Sequence, residues 1–264
     1  MNPLARTLVW RGLITALYVF LLAPIIVVAC VSFDTRPYLD FPPRSLSLGS
    51  YAGVVRNHVF FEAMLTSMLI GAIAATCSVV LGTMASFGLV RGRFRGRAVF
   101  AWFFLSPMLA PHIVLAVGLM MTLQPLGLLN TLSGLVLAHI GITLPYTVRI
   151  VSMGLSRIDP AWEEAARVHG ASGGKVLWHV TLPVLRPNML AAGMIAFLIS
   201  FDEAVIALFI AGRHATTLPL AIYEYIQFRT DPQVAALSVI VIVVSLLPII
   251  VIERSISLRR AVGS

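Results

Sequence analysis

Long apolar runs separated by short polar segments dominate this chain of 264 residues. Each run is close to the roughly 20 residues that a helix needs to cross the hydrocarbon core of a bilayer. The runs lack the alternation of a barrel strand, and helices and closed barrels are the two ways to satisfy the backbone in lipid. We therefore predict an all-α integral membrane protein, a single transmembrane domain over residues 1–264 with six transmembrane helices. These helices are expected at about Trp10–Phe33, Ala63–Val90, Ala98–Leu123, Leu132–Leu155, Pro187–Ala211 and Val234–Ile252.

The composition agrees with this class. Hydrophobic residues make up 59% of the chain and charged residues 11%, with a mean hydropathy of +0.94, whereas soluble domains carry roughly 25% charged residues. The longest segment beyond the outer helix ends, Asp34–Glu62, is rich in Pro, Ser and Gly, which predicts a crossing loop with little regular structure. No run is long enough for a soluble domain, so any energy source or soluble receptor must be another protein.

Basic residues collect at one set of helix ends, which mark the cytoplasmic side. With the N-terminus inside, fourteen of the 19 basic residues fall on inner segments, so both termini and the loop 156–186 are predicted to be cytoplasmic. The dense cluster Arg91–Arg97 is a short turn between two helices, and no nucleic-acid partner is expected. The inner set is Arg6, Arg11, Arg91, Arg93, Arg95, Arg97, Arg149, Arg157, Arg167, Lys175, Arg186, Arg254, Arg259 and Arg260, and the outer set is Arg36, Arg44, Arg56, Arg213 and Arg229.

The sequence offers no support for an enzyme. The segment Gly170–Lys175 departs from a phosphate-binding loop in both its glycine spacing and the residue after the lysine, and there is no His-Glu-x-x-His pattern. The two cysteines lie in separate apolar helices, which predicts neither a metal site nor a disulfide. We therefore predict no catalytic residue, no metal site and no cofactor in this chain.

The polar loop 156–186 has the signals of two short helices. Asp159 can cap a helix whose first residue is Pro160, and an ion pair is expected between Glu163 and Arg167 on one face. Gly170 lies where a left-handed residue ends a helix. A second short helix is expected to start at Ser172 and to end at Pro183. An amphipathic helix lying on lipid would be more hydrophobic and more basic, so docking of another protein is the favoured interpretation.

The spacing within this loop resembles the signature loop of ATP-binding-cassette importer permeases. The resemblance implies a type I importer permease fold in which the loop is a coupling helix that fits a groove on a cytoplasmic ATPase. It also implies a second homologous permease subunit, two ATPase subunits that bind ATP and Mg²⁺, a solute-binding protein outside, and the bacterial inner membrane as location. The residues that carry it are Glu164, Ala165, Ala166, Gly170, Val180, Leu182 and Pro183, with Val180 where Ile is commoner.

Two acids inside the fifth predicted helix bear on the solute, because a carboxylate in the membrane is expensive and usually functional. At 1.5 Å per residue, Asp202 and Glu203 lie about 24 Å from the inner end of that helix. On a helical wheel Glu203 shares its face with Ser200 and small residues, which places it towards the bundle interior or a cavity. A cationic solute is then favoured, with a structural ion pair or hydrogen bond as the alternative. Tyr146 and His139 are expected either to face the path or to form interhelical hydrogen bonds.

The C-terminal half sharpens the resemblance towards the second permease subunit of spermidine/putrescine importers. That family implies a translocation path worked by alternating access for a small cation such as a polyamine. One departure is His112 after Pro111, where such permeases often carry Asp, and we include His112 among the candidate path residues. Two alternative functions stay open. One is an importer of the same class for an amino acid, opine, thiamine, sugar or ferric iron, and the other is a channel or secondary transporter that works alone. The matching segments are Ser200–Ile206, Thr217–Leu220, Ile222–Tyr223, Asp231–Pro232 and Val234–Leu237.

Overall fold

A computed structural model of the chain describes residues 3–212 and 215–262, with side chains described for residue 7 and for residues 9–212, 215–247 and 250. The described chain is built from α-helices. The predictions that concern Arg213 and the side chains of Arg6, Arg254, Arg259 and Arg260 lie outside the described residues. The helices are α1 (Pro3–Val31), α2 (Gly49–Arg56), α3 (His58–Arg91), α4 (Arg97–Leu105), α5 (His112–Leu123), α6 (Leu132–Ser156), α7 (Pro160–Val168), α8 (Gly173–Val176), α9 (Leu182–Phe201), α10 (Val205–Ile210), α11 (Leu218–Phe228) and α12 (Pro232–Val262).

Within the described residues, four helical segments are long and apolar enough to cross a membrane, or five when one bent pair counts as a single span. The four are Val9–Val31, His58–Arg91, Leu132–Ser156 and Gly173–Phe201. The described apolar part of α12, Pro232–Leu247, is shorter than these. The structure thus establishes an all-helical chain with several membrane-length helices.

The third predicted helix is broken rather than continuous. After α4 the chain forms a 3₁₀ turn at Ser106–Leu109, then Ala110 and Pro111 are extended, and α5 begins at His112. The two parts are bent by 110°. Pro111 has no N–H to donate to a preceding turn and disfavours helical geometry at Ala110. The prediction of one helix over residues 98–123 was wrong because apolar composition alone does not register this break.

The fifth predicted helix is also wrong at both ends. The helix continues from α8 through a π-helical turn at Leu177–Thr181 into α9, so Pro183 does not end a short helix. Pro183 cannot donate to the carbonyl four residues earlier, and the widened turn lies immediately before it. At the other end α9 stops at Phe201, and a short separate helix, α10, begins at Val205. Asp202 and Glu203 therefore lie in a break, not on a helical face.

Contacts divide the chain into two compact units, Glu62–Tyr223 with Leu247–Ser264 and Met1–Phe61 with Glu224–Leu246. In the larger unit α6 packs along α9, and α5 packs on α10. Gly154 permits the close approach of α6 to α9, since a Cβ there would lie 2.4 Å from the side chain of Asn188. The main apolar core joins α3, α5, α6 and α10 through Ile70, Ala116, Leu123, Leu135, Ala138, Ile142, Ile206, Ala207 and Ile210.

The smaller unit contains a loop organised by one arginine. Arg36 binds the carboxylates of Asp34 and Asp40 and donates to the carbonyl of Pro42 at 3.0 Å. The hydrogen bonds from the Arg36 guanidinium hold the pKa of Asp34 below its ordinary value. An isolated bridge pairs Asp34 with Leu46. The prediction of little regular structure over Asp34–Glu62 was therefore wrong in part. The contacts of Arg36 and the bridge between Asp34 and Leu46 order this loop, and α2 follows it.

Candidate functional site

The polar loop forms a compact knob, which we define as residues 159–183. Asp159 accepts a hydrogen bond from the backbone N–H of Ala161 at 2.9 Å, and Pro160 occupies the first position of α7. Gly170 follows the end of that helix and has a φ of +82°. Glycine adopts this left-handed conformation more readily than other residues do. Ser172 stands at the N-cap of α8 but its side chain makes no capping hydrogen bond. The local prediction of a capped helix ending at Gly170 is confirmed.

Inside the knob, Glu163 connects three parts of the chain. Its Oε1 lies 3.3 Å from Nη2 of Arg91, at the end of α3, and accepts a hydrogen bond from Oγ1 of Thr181 at 3.1 Å. The same Arg91 atom donates to the carbonyl of Ile158 at 3.0 Å. The predicted ion pair of Glu163 with Arg167 is wrong, because Glu163 turns inward to Arg91. Glu163 thus ties α7 to both α3 and the start of α9.

The residues of the coupling signature are presented differently from Glu163. The side chain of Glu164 is exposed and makes no hydrogen bond or ion pair within the described part of the chain. Ala165, Gly170 and Pro183 are also exposed, whereas Ala166 and Leu182 are half-buried. The outer surface of the knob therefore carries most of the signature, and its inner side carries the polar tie.

A second polar centre lies where the two broken helices meet. Glu203 has only 6% of its side chain exposed. Its Oε1 accepts hydrogen bonds from the backbone N–H groups of Val205 at 2.9 Å and Ile206 at 3.1 Å, which caps α10. Nδ1 of His112, the first residue of α5, donates to its other oxygen, Oε2, at 2.8 Å. One carboxylate therefore fastens the start of α5 to the start of α10.

The other path candidates form no side-chain hydrogen bond with His112 or Glu203 within the described residues. Asp202 is exposed and Tyr146 is half-buried, and neither side chain forms a hydrogen bond or ion pair among the residues that the structure describes. His139 is fully buried and shares a hydrogen bond of 2.7 Å with Ser200, so its expected alternative of an interhelical hydrogen bond is correct. The structure brings together His112 and Glu203, and it leaves Asp202 as the acid that faces outward from this subunit.

Two contributors were missed by the sequence reasoning. Arg91 was assigned only to a basic turn, and Thr181 was not considered. Arg91 and Glu163 are separated by 72 positions, so no local pattern could indicate their pairing. The end of α3 and the start of α9 meet only in the folded chain.

Comparison with known proteins decides the family. Residues 78–258, more than half of the chain and including both polar centres, match the family described as "binding-protein-dependent transport system inner membrane component". The chain belongs to this family. This binding-protein-dependent transport component is therefore a subunit of an ATP-binding-cassette importer in the inner membrane, and it is a transport subunit rather than an enzyme.

Individual relatives agree. The permease protein PotI of a putrescine transport system from Escherichia coli (strain K12) is 31% identical over 245 residues, which cover 88% of this chain and 85% of the relative. The permease protein PotC of a spermidine/putrescine transport system from the same strain is 30% identical over 239 residues, covering 90% of each. A solved bacterial transporter for the import of alginate has the same fold, with a TM-score of 0.71 and 17% identity over 96% of this chain and 95% of that one.

Proposed function

We propose that this permease forms half of the translocation path of an importer for a small cationic polyamine such as spermidine or putrescine. Support comes from the identity to PotI and PotC over most of the chain and from the motifs of the C-terminal half. We further propose that residues 1–264 act as one transmembrane domain with six spans and both termini in the cytoplasm. The third span is then the bent pair α4 and α5, and the sixth is α12.

The exposed carboxylate of Asp202 carries the proposal for a cation. It lies next to Glu203, whose two oxygens are already occupied by His112 and the start of α10. A charged side chain within a membrane-spanning segment is costly unless it faces water, a partner or a counter-ion. In the assembled importer Asp202 would therefore face the path between the two permeases and attract the ammonium groups of the solute. In this proposal Glu203 and His112 hold the chain around Asp202 in position, and the half-buried Tyr146 is another residue that lines the path.

Energy would enter at the knob. The exposed signature residues Glu164, Ala165 and Gly170, with Ala166, Leu182 and Pro183 beside them, are available for docking into an ATPase subunit. Two such ATPases would bind ATP and Mg²⁺, and a solute-binding protein would deliver the solute from outside to this permease and its homologous partner. Closure of the ATPases would move the knob, and the tie from Glu163 to Arg91 would carry that motion to α3. Alternating access of the path follows from this motion.

Uptake of labelled putrescine tests the proposal. Asp202→Asn should raise the KM for putrescine because it removes the attractive charge while keeping the shape of the side chain. A matched control is Glu224→Gln, which neutralises an exposed acid on α11 and should leave the KM unchanged. Unchanged putrescine uptake in Asp202→Asn would contradict the cation path. Uptake of a sugar or amino acid with no putrescine uptake would contradict the proposed solute.

The orientation has its own test. In a background with Cys30 and Cys77 replaced by Ser, a membrane-impermeant thiol reagent should label Ser45→Cys from outside. It should label Ser172→Cys, in the knob, only after the membrane is opened. The reverse pattern would contradict a cytoplasmic knob.

A further inference from the structure

A basic cleft lies beside the knob. It encloses about 680 Å³ between the end of α3, the turn that follows it and the inner side of α7 and α8. Four guanidinium groups line it, against two carboxylates, and one of those carboxylates is already bound by Arg91. The Nε of Arg91 is buried and has no hydrogen-bond partner among the described residues. The charged residues of the cleft are Arg91, Arg93, Arg97, Arg167, Glu163 and Glu164.

An apolar groove continues from this cleft. It encloses about 390 Å³ between α3, α4 and α6. Val90 and Arg97 line both spaces, so the groove begins where the basic cleft ends. Its other walls are almost entirely apolar, with Arg149 and Ser152 as the polar members. The apolar walls are Leu89, Val90, Ala98, Ala101, Leu105, Val148 and Met153.

We propose that the basic cleft and the apolar groove together bind one anionic phospholipid. The phosphate of the head group would lie among Arg93, Arg97 and Arg167, and an acyl chain would follow the groove along α4. Basic pockets between transmembrane helices on the cytoplasmic side bind anionic head groups. The assignment of this cleft to the cytoplasmic leaflet rests on the proposed orientation.

The surface of α4 supports a position at the membrane interface. Phe94, Phe100, Trp102 and Phe103 are all exposed beside the basic turn. Aromatic side chains are enriched at the boundary between acyl chains and head groups. The groove therefore lies at the depth of acyl chains while the cleft lies at the depth of phosphates.

The continuity of the two spaces distinguishes a lipid from other anions. A free phosphate would occupy the cleft and make no use of the groove. An acidic segment of a partner ATPase would reach the cleft but would leave the apolar groove empty. A phospholipid alone has the charge and the apolar chain that match both.

Native mass spectrometry of the full-length chain, purified in mild detergent with the subunits that accompany it, tests this site. Phosphatidylglycerol is titrated against phosphatidylcholine. The variant carrying Arg93→Gln and Arg97→Gln should lose phosphatidylglycerol affinity about 25-fold, since each arginine near a membrane surface contributes roughly fivefold. The matched control carries Arg95→Gln and Arg157→Gln, which remove the same charge from exposed positions outside the cleft. It should retain the affinity of the unaltered protein.

A second variant tests the groove. Ala101→Trp fills it without changing charge and should weaken phosphatidylglycerol binding several-fold, with retention of the fold checked by the thermal unfolding midpoint. An equal loss of phosphatidylglycerol affinity in the variant carrying Arg95→Gln and Arg157→Gln would overturn the site, because it would show general attraction to a basic surface. Full competition by millimolar inorganic phosphate would overturn the lipid in favour of a phosphate site. Binding that appears only after the ATPase subunits are removed would overturn it in favour of a protein contact.

Detergent-based binding does not depend on membrane orientation or on solute. If the unaltered protein takes up putrescine but shows no preference for phosphatidylglycerol over phosphatidylcholine, this inference alone is contradicted. Outward labelling of Ser172→Cys with intact lipid binding would contradict the proposed orientation alone.

Discussion

The knob and the break between α9 and α10 each contain two adjacent acids, and in each pair the two carboxylates have different surroundings. Glu163 and Glu203 turn inward and each accepts hydrogen bonds that connect separate helices. Their neighbours Glu164 and Asp202 are exposed and make no such bonds within the described chain. In both regions the inward acid holds the structure, and the outward acid is available to a partner or a solute.

The two pairs differ in how they arise. Glu163 and Glu164 are consecutive residues of α7, so helical geometry turns their side chains about 100° apart; both border the basic cleft, and Glu163 is the one that reaches Arg91. Asp202 and Glu203 lie beyond the end of α9, and their separation depends on the break and on the cap of α10. The difference between the two acids of the knob thus follows from local geometry, whereas the difference between Asp202 and Glu203 needs the tertiary fold.

The largest expected effect is on the knob as a whole. Deletion of Gly170 should reduce solute uptake to the level of cells that lack the chain, because the residues after it would be rotated relative to α7. Membrane insertion should be unchanged, as measured by the amount of protein in purified membranes. Gly170→Asn should retain most uptake, since Asn tolerates the left-handed conformation and a Cβ added at this position would meet no atom within 4 Å beyond its chain neighbours. Full uptake by the deletion variant would contradict a force-transmitting role.

The next effect separates the two acids of the break. Glu203→Ala should lower the free energy of unfolding by about 3 kcal/mol, because it removes a buried partner of His112 and the cap of α10. Asp202→Ala should change it by less than about 0.5 kcal/mol, as is usual at an exposed position. Thermal unfolding in detergent measures both. Equal destabilisation by the two substitutions would show that the acids are not divided in this way.

A smaller effect separates the acids of the knob. Glu163→Gln should lower the free energy of unfolding by about 1 kcal/mol, since Arg91 and Glu163 are partly exposed to water. Glu164→Gln should leave stability unchanged but should reduce the ATP hydrolysis that solute stimulates in the reconstituted importer. The comparison would be reversed if Glu164→Gln destabilised the protein and Glu163→Gln did not.

The smallest effect concerns one hydroxyl. Thr181→Val keeps the shape of a buried side chain and removes its hydrogen bond to Glu163. The expected loss is about 0.6 kcal/mol, the mean for such bonds in membrane proteins. Thr76→Val is the control, because Thr76 is exposed and bonds only within its own helix. An equal change in both variants would argue against a tie through Thr181.

The sequence predicted the parts of the molecule that depend on neighbouring residues. Asp159, Pro160 and Gly170 act through contacts within a few positions, and the apolar runs locate most of the helices. The breaks before His112 and after Phe201 were missed, because prolines and polar residues occur within transmembrane helices without ending them. The helical face predicted for Glu203 was wrong for the same reason, whereas the structural hydrogen bond left open as the alternative is the one observed with His112. Arg91 and Glu163 meet across a separation that periodicity does not register.

The bend at Ala110–Pro111 also determines what moves together. A continuous helix would tilt as one rod, but here α4 packs on α6, while α5, on the other side of the bend, packs mainly on α10. The two helices of the bent pair therefore have different main packing partners, while α6 and α10 also contact each other in the apolar core. A rotation of α4 about this bend does not have to tilt α5 by the same angle, so a displacement at one end of this helix pair is not copied in full at the other end.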